Sequence, residues 1–320
     1  MSAEPHLAAS VLDTIGNTPL VELSRITGAL DGTIFAKLEY LNPGYSKKDR
    51  IARQMIEDAE AEGQLRPGDT VVELTSGNTG AGLAIVCAAK GYRFVAVMSR
   101  GNSPERARMM AALGAEVVLV DQCPESQPGE VSGADLARVE AKTREIVAER
   151  GAYRADQFEF EGNRRAHYLH TAPEIWRASG GIDAFCDFIG SGGSFAGCAS
   201  YFKGRDPAVQ CYIVEPEGAA AYAGEPVARP NHKIQGGGYA MAELPLIDRD
   251  LVDGCLRVRD EEAARMSRRL AREEGLFAGY SSGANLAAAL QLLRSGRRGQ
   301  RVAILLCDSG LKYLSTDLWD

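Results

Sequence analysis

Asn42-Pro43-Gly44-Tyr45-Ser46-Lys47-Lys48-Asp49-Arg50 sets two adjacent lysines at the start of a patterned helix. With Ser46 as N-cap, Ile51 and Met55 fall three and seven positions after Lys48 and share its helical face. Lys47 lines up instead with Gln54 and Asp58 on the polar face, which predicts a solvated side chain. Burial disfavours an ammonium, so a lysine on an apolar face is a candidate nucleophile or imine-forming amine. The pattern nominates Lys48 as the chemical residue and Lys47 as its solvated neighbour. The blander reading is a helix-start lysine that snorkels to water with its stem on Ile51.

Outward from this helix (47–62), elements alternate. An extended segment near 19–23 and a strand at 34–38 precede it. Strand 70–74, helix 80–90, strand 94–98, helix 104–113 and strand 116–120 follow. A polar stretch, Asp121 to Gly133, breaks the rhythm. Helices 135–150 and 163–178, strand 184–189, helix 194–203 and strand 210–214 come next, then a Gly-rich region at 226–238, helices 260–274 and 283–294, and strand 301–306. Repeated strand-helix-strand units predict parallel sheets covered by helices, an α/β fold with two open parallel-sheet lobes.

The chain has 320 residues, 45% hydrophobic and 25% charged, which suits a soluble globular protein able to bury a full core. A net charge of -7 argues against nucleic acid or an anionic membrane as partner. Met1 to Ser10 lacks a charged region followed by an apolar run, and no apolar stretch reaches membrane-spanning length, so a cytoplasmic protein is expected. Cys87, Cys123, Cys186, Cys198, Cys211, Cys255 and Cys307 are dispersed, without Cys-x-x-Cys pairing, and read as reduced. His167 and His170 have ligand-compatible spacing but no evident carboxylate or further histidine beside them, so no metal is expected.

Three loops between strands and helices carry candidate chemistry. Thr75-Ser76-Gly77-Asn78-Thr79-Gly80 gathers amides and hydroxyls at a helix N-terminus, an arrangement suited to a carboxylate; a plain tight turn is the alternative. Gly190-Ser191-Gly192-Gly193-Ser194-Phe195-Ala196-Gly197, with Glu215 ending the next strand, resembles a dinucleotide fingerprint. Its spacing is not G-x-G-x-x-G, however, and its two hydroxyls suit a phosphate monoester better. Gly279-Tyr280-Ser281-Ser282-Gly283-Ala284-Asn285 opens another helix, with Ser282 a candidate N-cap.

These motifs together resemble the cysteine synthase and cystathionine β-synthase family of fold type II pyridoxal-phosphate enzymes. Asn-Pro-x-x-Ser-x-Lys-Asp-Arg matches that family's cofactor-lysine pattern at every specified position. The resemblance implies a tryptophan synthase β-like fold with pyridoxal 5'-phosphate in the cleft between lobes. It places 1–46 and 156–320 in a large cofactor-binding domain and 47–155 in a small mobile one. Lys48 would carry the cofactor, and Gly190, Ser191, Gly192, Gly193 and Ser194 would cup its phosphate. Asn78 would meet the ring hydroxyl, and Ser281 would face the pyridine nitrogen. Cys307 stands where many cysteine synthases have proline and the B-type isozyme has cysteine. Thr75, Ser76, Gly77, Asn78 and Thr79, with Gln157 in Asp156-Gln157-Phe158, would hold the substrate's α-carboxylate.

The implied activity is that of an O-acetylserine sulfhydrylase: β-replacement on O-acetyl-L-serine through an aminoacrylate, with sulfide giving L-cysteine. A neutral serine at the pyridine nitrogen favours elimination over transamination. Alternatives within the class are 2,3-diaminopropionate synthase, cystathionine β-synthase and O-phosphoserine sulfhydrylase. A noncatalytic regulatory homologue is the alternative from another class. The resemblance further implies a homodimer and raises a serine acetyltransferase-type partner. Tyr45, Lys47 and the segment Gly236 to Tyr239 depart from the family pattern. Tyr45 and Tyr239 are expected near the acceptor entrance, so that Tyr45→Gly would alter acceptor preference.

Overall fold

The computed structural model describes residues 7–126, 132–295 and 298–320. Residues 1–6 of the N-terminal segment and 127–131 of the polar Asp121 to Gly133 stretch lie outside the described residues. The strands are β1 (Leu20–Glu22), β2 (Gly32–Lys37), β3 (Thr70–Leu74), β4 (Arg93–Ser99), β5 (Glu116–Val120), β6 (Tyr153–Arg154), β7 (Ala184–Phe188), β8 (Gln210–Pro216), β9 (Gly254–Val258) and β10 (Gln300–Leu305). The helices are α1 (Ser24–Thr27), α2 (Lys48–Ala61), α3 (Asn78–Lys90), α4 (Pro104–Ala112), α5 (Gly133–Arg150), α6 (Glu161–Ala166), α7 (Ala172–Ser179), α8 (Gly193–Arg205), α9 (Asp260–Glu274) and α10 (Tyr280–Ser295).

Two sheets form, as the alternation predicts. One has the order β1-β2-β10-β7-β8-β9, parallel except for β1, and the other the wholly parallel order β5-β4-β3-β6. Both are covered on two faces, which is why their central strands read as nearly continuous apolar runs. In the larger sheet, Ile34, Cys186 and Ile304 pack on Met266, Leu270, Leu286 and Leu290 of α9 and α10. Phe185, Ile213 and Leu305 pack on Ile175, Phe195 and Phe202 of α7 and α8. In the smaller sheet, Val71, Phe94 and Ala96 meet Ile51, Met55 and Leu83 of α2 and α3, while Val72, Val95 and Val97 meet Val139 and Ile146 of α5. Among the described residues, no helix is long and apolar enough to cross a membrane.

The structure differs from the sequence reading in a few places. The single helix expected over 163–178 is α6, a π-helical turn at His167–Thr171, and α7. Pro173 has no amide hydrogen to return to the preceding turn, and the chain widens just before it. Strand β9 was not expected. It is a half-covered edge strand holding Gly254 and Arg257, so it lacks the apolar run that marks its neighbours. Helix α10 starts at Tyr280 rather than Gly283.

Parallel strands deliver their following loops to one edge. The loops after β3, β7 and β10 therefore collect at the carboxyl ends of the two sheets, where open α/β folds bind ligands. The lysine segment is pinned to that edge by backbone pairing. Lys47 N donates to Cys307 O at 2.9 Å, Ser309 N donates to Tyr45 O at 3.1 Å, and Ser46 bridges Asp308 antiparallel.

Candidate active site

Helix α2 begins at Lys48, with Lys47 at the cap position and Ser46 Oγ accepting from Lys48 N at 3.3 Å. Lys47 therefore precedes the helix and does not lie on its polar face. It is not solvated, contrary to the sequence reading. Its Nζ donates to both oxygens of Asp187 at 2.9 Å and to Ser194 Oγ at 2.8 Å, and the whole side chain is buried. Burial alone would depress this ammonium, but Asp187 outweighs burial and raises its pKa. Asp187 is the one charge in the strand Ala-Phe-Cys-Asp-Phe, and a charge in a buried strand requires a partner. That signal was available in the sequence and points to a cation elsewhere in the core.

Lys48 Nζ turns into a cavity and approaches Ser191 Oγ at 3.4 Å. Burial first, and then the Lys47 ammonium, pull its amine down to about 8. About a tenth is thus unprotonated at pH 7 and about half near pH 8, far more than for an ordinary lysine, and the neutral form is the one a nucleophile or base requires. The cavity is lined by Lys48, Asn78, Gly190, Ser191, Gly192, Ser194, Ser281 and Cys307 from the sequence assignment, by Gln235 and Gly236 from the segment that the resemblance sets near the acceptor entrance, and by Lys47 and Phe188, which the sequence reading did not place there. Gly193 lies between two of these residues, as the first residue of α8.

The 190–194 loop is a cradle only glycine can form. A Cβ on Gly190 would meet Gly236 O at 2.6 Å, and one on Gly193 would overlap the Asn163 amide. Gly192 holds φ +83 as N-cap of α8, so the first amides of that helix face its open end. The donors here are backbone amides and the Ser191 hydroxyl, which suit a phosphate monoester. Glu215, the residue a dinucleotide ribose would need, is committed elsewhere: it accepts from the amides of Tyr222 at 3.2 Å and Ala223 at 2.9 Å. Ser281, near the start of α10, is buried against the cavity. Ser282 is no N-cap; its Oγ accepts from Cys307 N at 2.9 Å. Burial pushes the Cys307 thiol up to about 12, so it is neutral.

The remaining assigned residues form an adjoining cluster. Thr75 Oγ1 accepts from Gly77 N and Gly80 N, both at 2.9 Å, and Thr79 Oγ1 donates to Gln157 Oε1 at 2.6 Å. Ser76 Oγ accepts from Tyr239 at 3.3 Å. The Asn78 and Thr79 amides open α3 without intrahelical partners, a ready carboxylate site. Three further residues that the sequence reading missed hold this cluster to the cavity. Asn163 Nδ2 donates to Gln157 O at 2.6 Å and to Ser191 Oγ at 2.8 Å. Asp308 and Lys312 grip the Asn78 amide from either side, each at 2.8 Å. Tyr45 is half exposed and lines neither this cavity nor the cleft beside it. His167 Nδ1 lies 2.9 Å from Thr171 Oγ1.

That cleft, of about 510 Å³, shares the wall residue Gln235 with the cavity. Its walls include Arg100, Asn102 and Ser103 from the smaller sheet's side and Lys233, Tyr280 and Asp317 from the larger.

Comparison with known proteins agrees with this chemistry. Residues 11–308 match a family described as pyridoxal-phosphate dependent enzyme. A cysteine synthase of Staphylococcus aureus is 40% identical over 313 residues, covering 97% of this chain and 96% of the relative. A crystal structure of O-ureido-L-serine synthase superposes with a TM-score of 0.88 at 39% identity, covering 98% of this chain and 96% of that one. An O-acetylserine dependent cystathionine β-synthase from Helicobacter pylori superposes with a TM-score of 0.89 at 33% identity, covering 99% and 100%. A cradle for one phosphate beside an amine of lowered basicity is what pyridoxal phosphate needs, and the chain belongs to the cysteine synthase and cystathionine β-synthase family of pyridoxal-phosphate-dependent enzymes.

Proposed function

We propose that the protein catalyses β-replacement on an activated L-serine, O-acetyl-L-serine, with sulfide as nucleophile to give L-cysteine. The observation that carries this reading is the placement of Lys48 Nζ in one cavity with the 190–194 cradle, Ser281 and Asn78, directly beside the Thr75–Thr79 cluster. Lys48 would hold the cofactor, the cradle its phosphate, Asn78 its ring hydroxyl and Ser281 its ring nitrogen. When bound, pyridoxal phosphate acidifies the Cα–H bond of an amino acid and permits loss of a β-substituent.

The chain's own residues supply the rest. Asn78 and Thr79 amides, with Ser76, Thr79 and Gln157 side chains, bind the donor's carboxylate and orient its Cα–H bond toward Lys48. Lys48, as a neutral amine, takes the α-proton and later returns it. Ser281, uncharged, leaves the ring nitrogen without a carboxylate partner. Residues 47–155 form a small lobe that closes on 1–46 and 156–320 and excludes water. The nucleophile enters through the cleft at Gln235. On the strength of the resemblance, the protein is also proposed to act in the cytoplasm as a homodimer.

A second reading, with a larger nucleophile such as homocysteine, is favoured by the size of the cleft and by the likeness to the Helicobacter pylori enzyme. Incubation with O-acetylserine, O-phosphoserine or serine against sulfide, homocysteine, thiosulfate, cyanide and ammonia, with products read by mass spectrometry, tests both. Cysteine from O-acetylserine and sulfide is the expected dominant product. Preferential formation of any other product overturns the choice of substrates while leaving the enzyme class.

A further inference from the structure

Two lysines adjacent in sequence both line the cavity, Lys47 buried and Lys48 partly so, yet their surroundings differ sharply. Lys47 is locked: Asp187 accepts from it with both oxygens, and Ser194 accepts from it and donates back to Asp187. Asn285 Nδ2 also donates to Asp187 Oδ1 at 3.2 Å, and Asn285 is itself held by Leu305 O at 2.9 Å. With Cys307 Sγ donating to Oδ1 at 3.8 Å, the carboxylate accepts five hydrogen bonds from four residues. Lys48, by contrast, has among the described residues a single hydrogen bond, to Ser191 Oγ at 3.4 Å. The two amines cannot both be charged cheaply in so little solvent, since like charges at short range in a low-dielectric site repel strongly.

We propose that Lys47 is a positioning residue acting through Lys48: by occupying Asp187 it carries the permanent positive charge of the pair and leaves Lys48 as the amine that gives up its proton. The charged or titratable groups acting on Lys48 are Lys47 beside it, Asp187 on β7, Cys307 after β10 and Glu73 on β3. His167, on the π-helical turn, is kept neutral by burial and by the charges of Lys47 and Arg50. Of these, Asp187 is the group whose freedom would matter most. Without Lys47 it would be a buried carboxylate lacking a cation, and the nearest amine able to answer it is Lys48.

The inference rests on Lys48 being the cofactor amine, and is independent of donor and nucleophile. Its test uses cofactor-free full-length protein, with acetylation of Lys48 by acetic anhydride followed by mass spectrometry from pH 6 to 10. Lys47→Met is expected to move the midpoint of Lys48 labelling up by about one pH unit, a roughly tenfold loss of reactive amine at pH 7. Lys47→Arg, whose guanidinium keeps its charge in a protein, is expected to leave the midpoint near wild type. The paired K47M/D187N variant is expected to fall below K47M, because the unanswered carboxylate is gone as well. A merely structural role would lower folded yield without moving the midpoint. A K47M midpoint that is unchanged or lowered overturns the proposal. If K47M does not fold, Lys47→Gln decides: a raised midpoint supports it, and an unchanged or lowered one overturns it. Capture of pyridoxal phosphate by Lys48→Ala, read as a visible band, would instead sink the assignment of Lys48 itself.

Discussion

Asn78 Nδ2 donates to Asp308 Oδ2 at 2.8 Å, and this bond joins the first turn of the helix after β3 to the chain leaving β10. The same carboxylate accepts from Tyr313 Oη at 2.8 Å and lies 3.6 Å from the guanidinium of Arg106, which is buried beneath Gly77 and donates to Ser76 O at 2.9 Å. Asp308 therefore serves both Asn78, the proposed cofactor ligand, and the loop proposed to hold the substrate.

Removing it should damage both. Asp308→Ala leaves the Arg106 charge unanswered in the core, which costs ~3–5 kcal/mol for a buried pair broken on one side. Thermal unfolding should show a large drop, and purified protein should hold less cofactor. Asp308→Asn keeps an acceptor for Asn78 and should lose less of both.

Gly77 has φ +122, and a Cβ there would sit 2.6 Å from the Arg106 stem. Gly77→Ala should thus distort the carboxylate loop while sparing the phosphate cradle. Strain of ~1–3 kcal/mol at such a position corresponds to a rise of roughly tenfold in KM for the donor amino acid. Cofactor content, measured by absorbance, should stay at the wild-type level.

Much of this arrangement is legible in the sequence because glycine loops after apolar strands have few other uses. The 75–80 and 190–197 segments each sit between a five-residue apolar strand and a helix, and the structure puts them where parallel topology requires. Lys47 was misread because helical periodicity was extended one residue too early. The first residue before a helix is aimed by the preceding loop, here by its pairing with Cys307 and Asp308. Asp308, Lys312, Arg106 and Asn163 were missed for a different reason. Their partners are 6 to 234 residues away in sequence, and no local pattern marks a side chain that acts by holding another.

Tyr45 has φ +59, which favours glycine, and its ring is half exposed outside both cavity and cleft. Tyr45→Gly should relieve the left-handed strain, partly offset by the greater freedom of glycine when unfolded, for a net gain of ~0.5 kcal/mol. A small rise in melting temperature would show it. Relative rates across nucleophiles should be unchanged, in place of the altered preference that sequence alone suggests.

Glu73 is fully buried under Gln157, and burial, with Asp156 adding to it, raises its carboxyl to about 8. Unfolded, it would ionise near the ordinary carboxylate range, so between that range and about pH 8 the folded state binds the extra proton. This group's contribution to stability accordingly falls as pH rises across that window. Glu73→Gln should remove that slope, so denaturant unfolding at pH 5 and pH 8 should differ less in the variant than in wild type.

Lys48, brought down to about 8, sets the pH dependence of cofactor capture. Uptake of pyridoxal phosphate by cofactor-free protein should accelerate as pH rises through about 8 and then level off, since only the neutral amine attacks the aldehyde. A stopped-flow absorbance series at fixed cofactor concentration measures the profile.

The visible absorbance of purified wild-type and Lys48→Ala protein, before and after O-acetylserine is added without a nucleophile, tests the proposed function most directly. Wild type should be yellow, its band should shift to longer wavelength with the donor, and sulfide should restore the original band as cysteine forms. The variant should show none of these changes. A wild-type spectrum unmoved by O-acetylserine, or a Lys48→Ala protein that responds as wild type does, would contradict the assignment of donor or of lysine respectively.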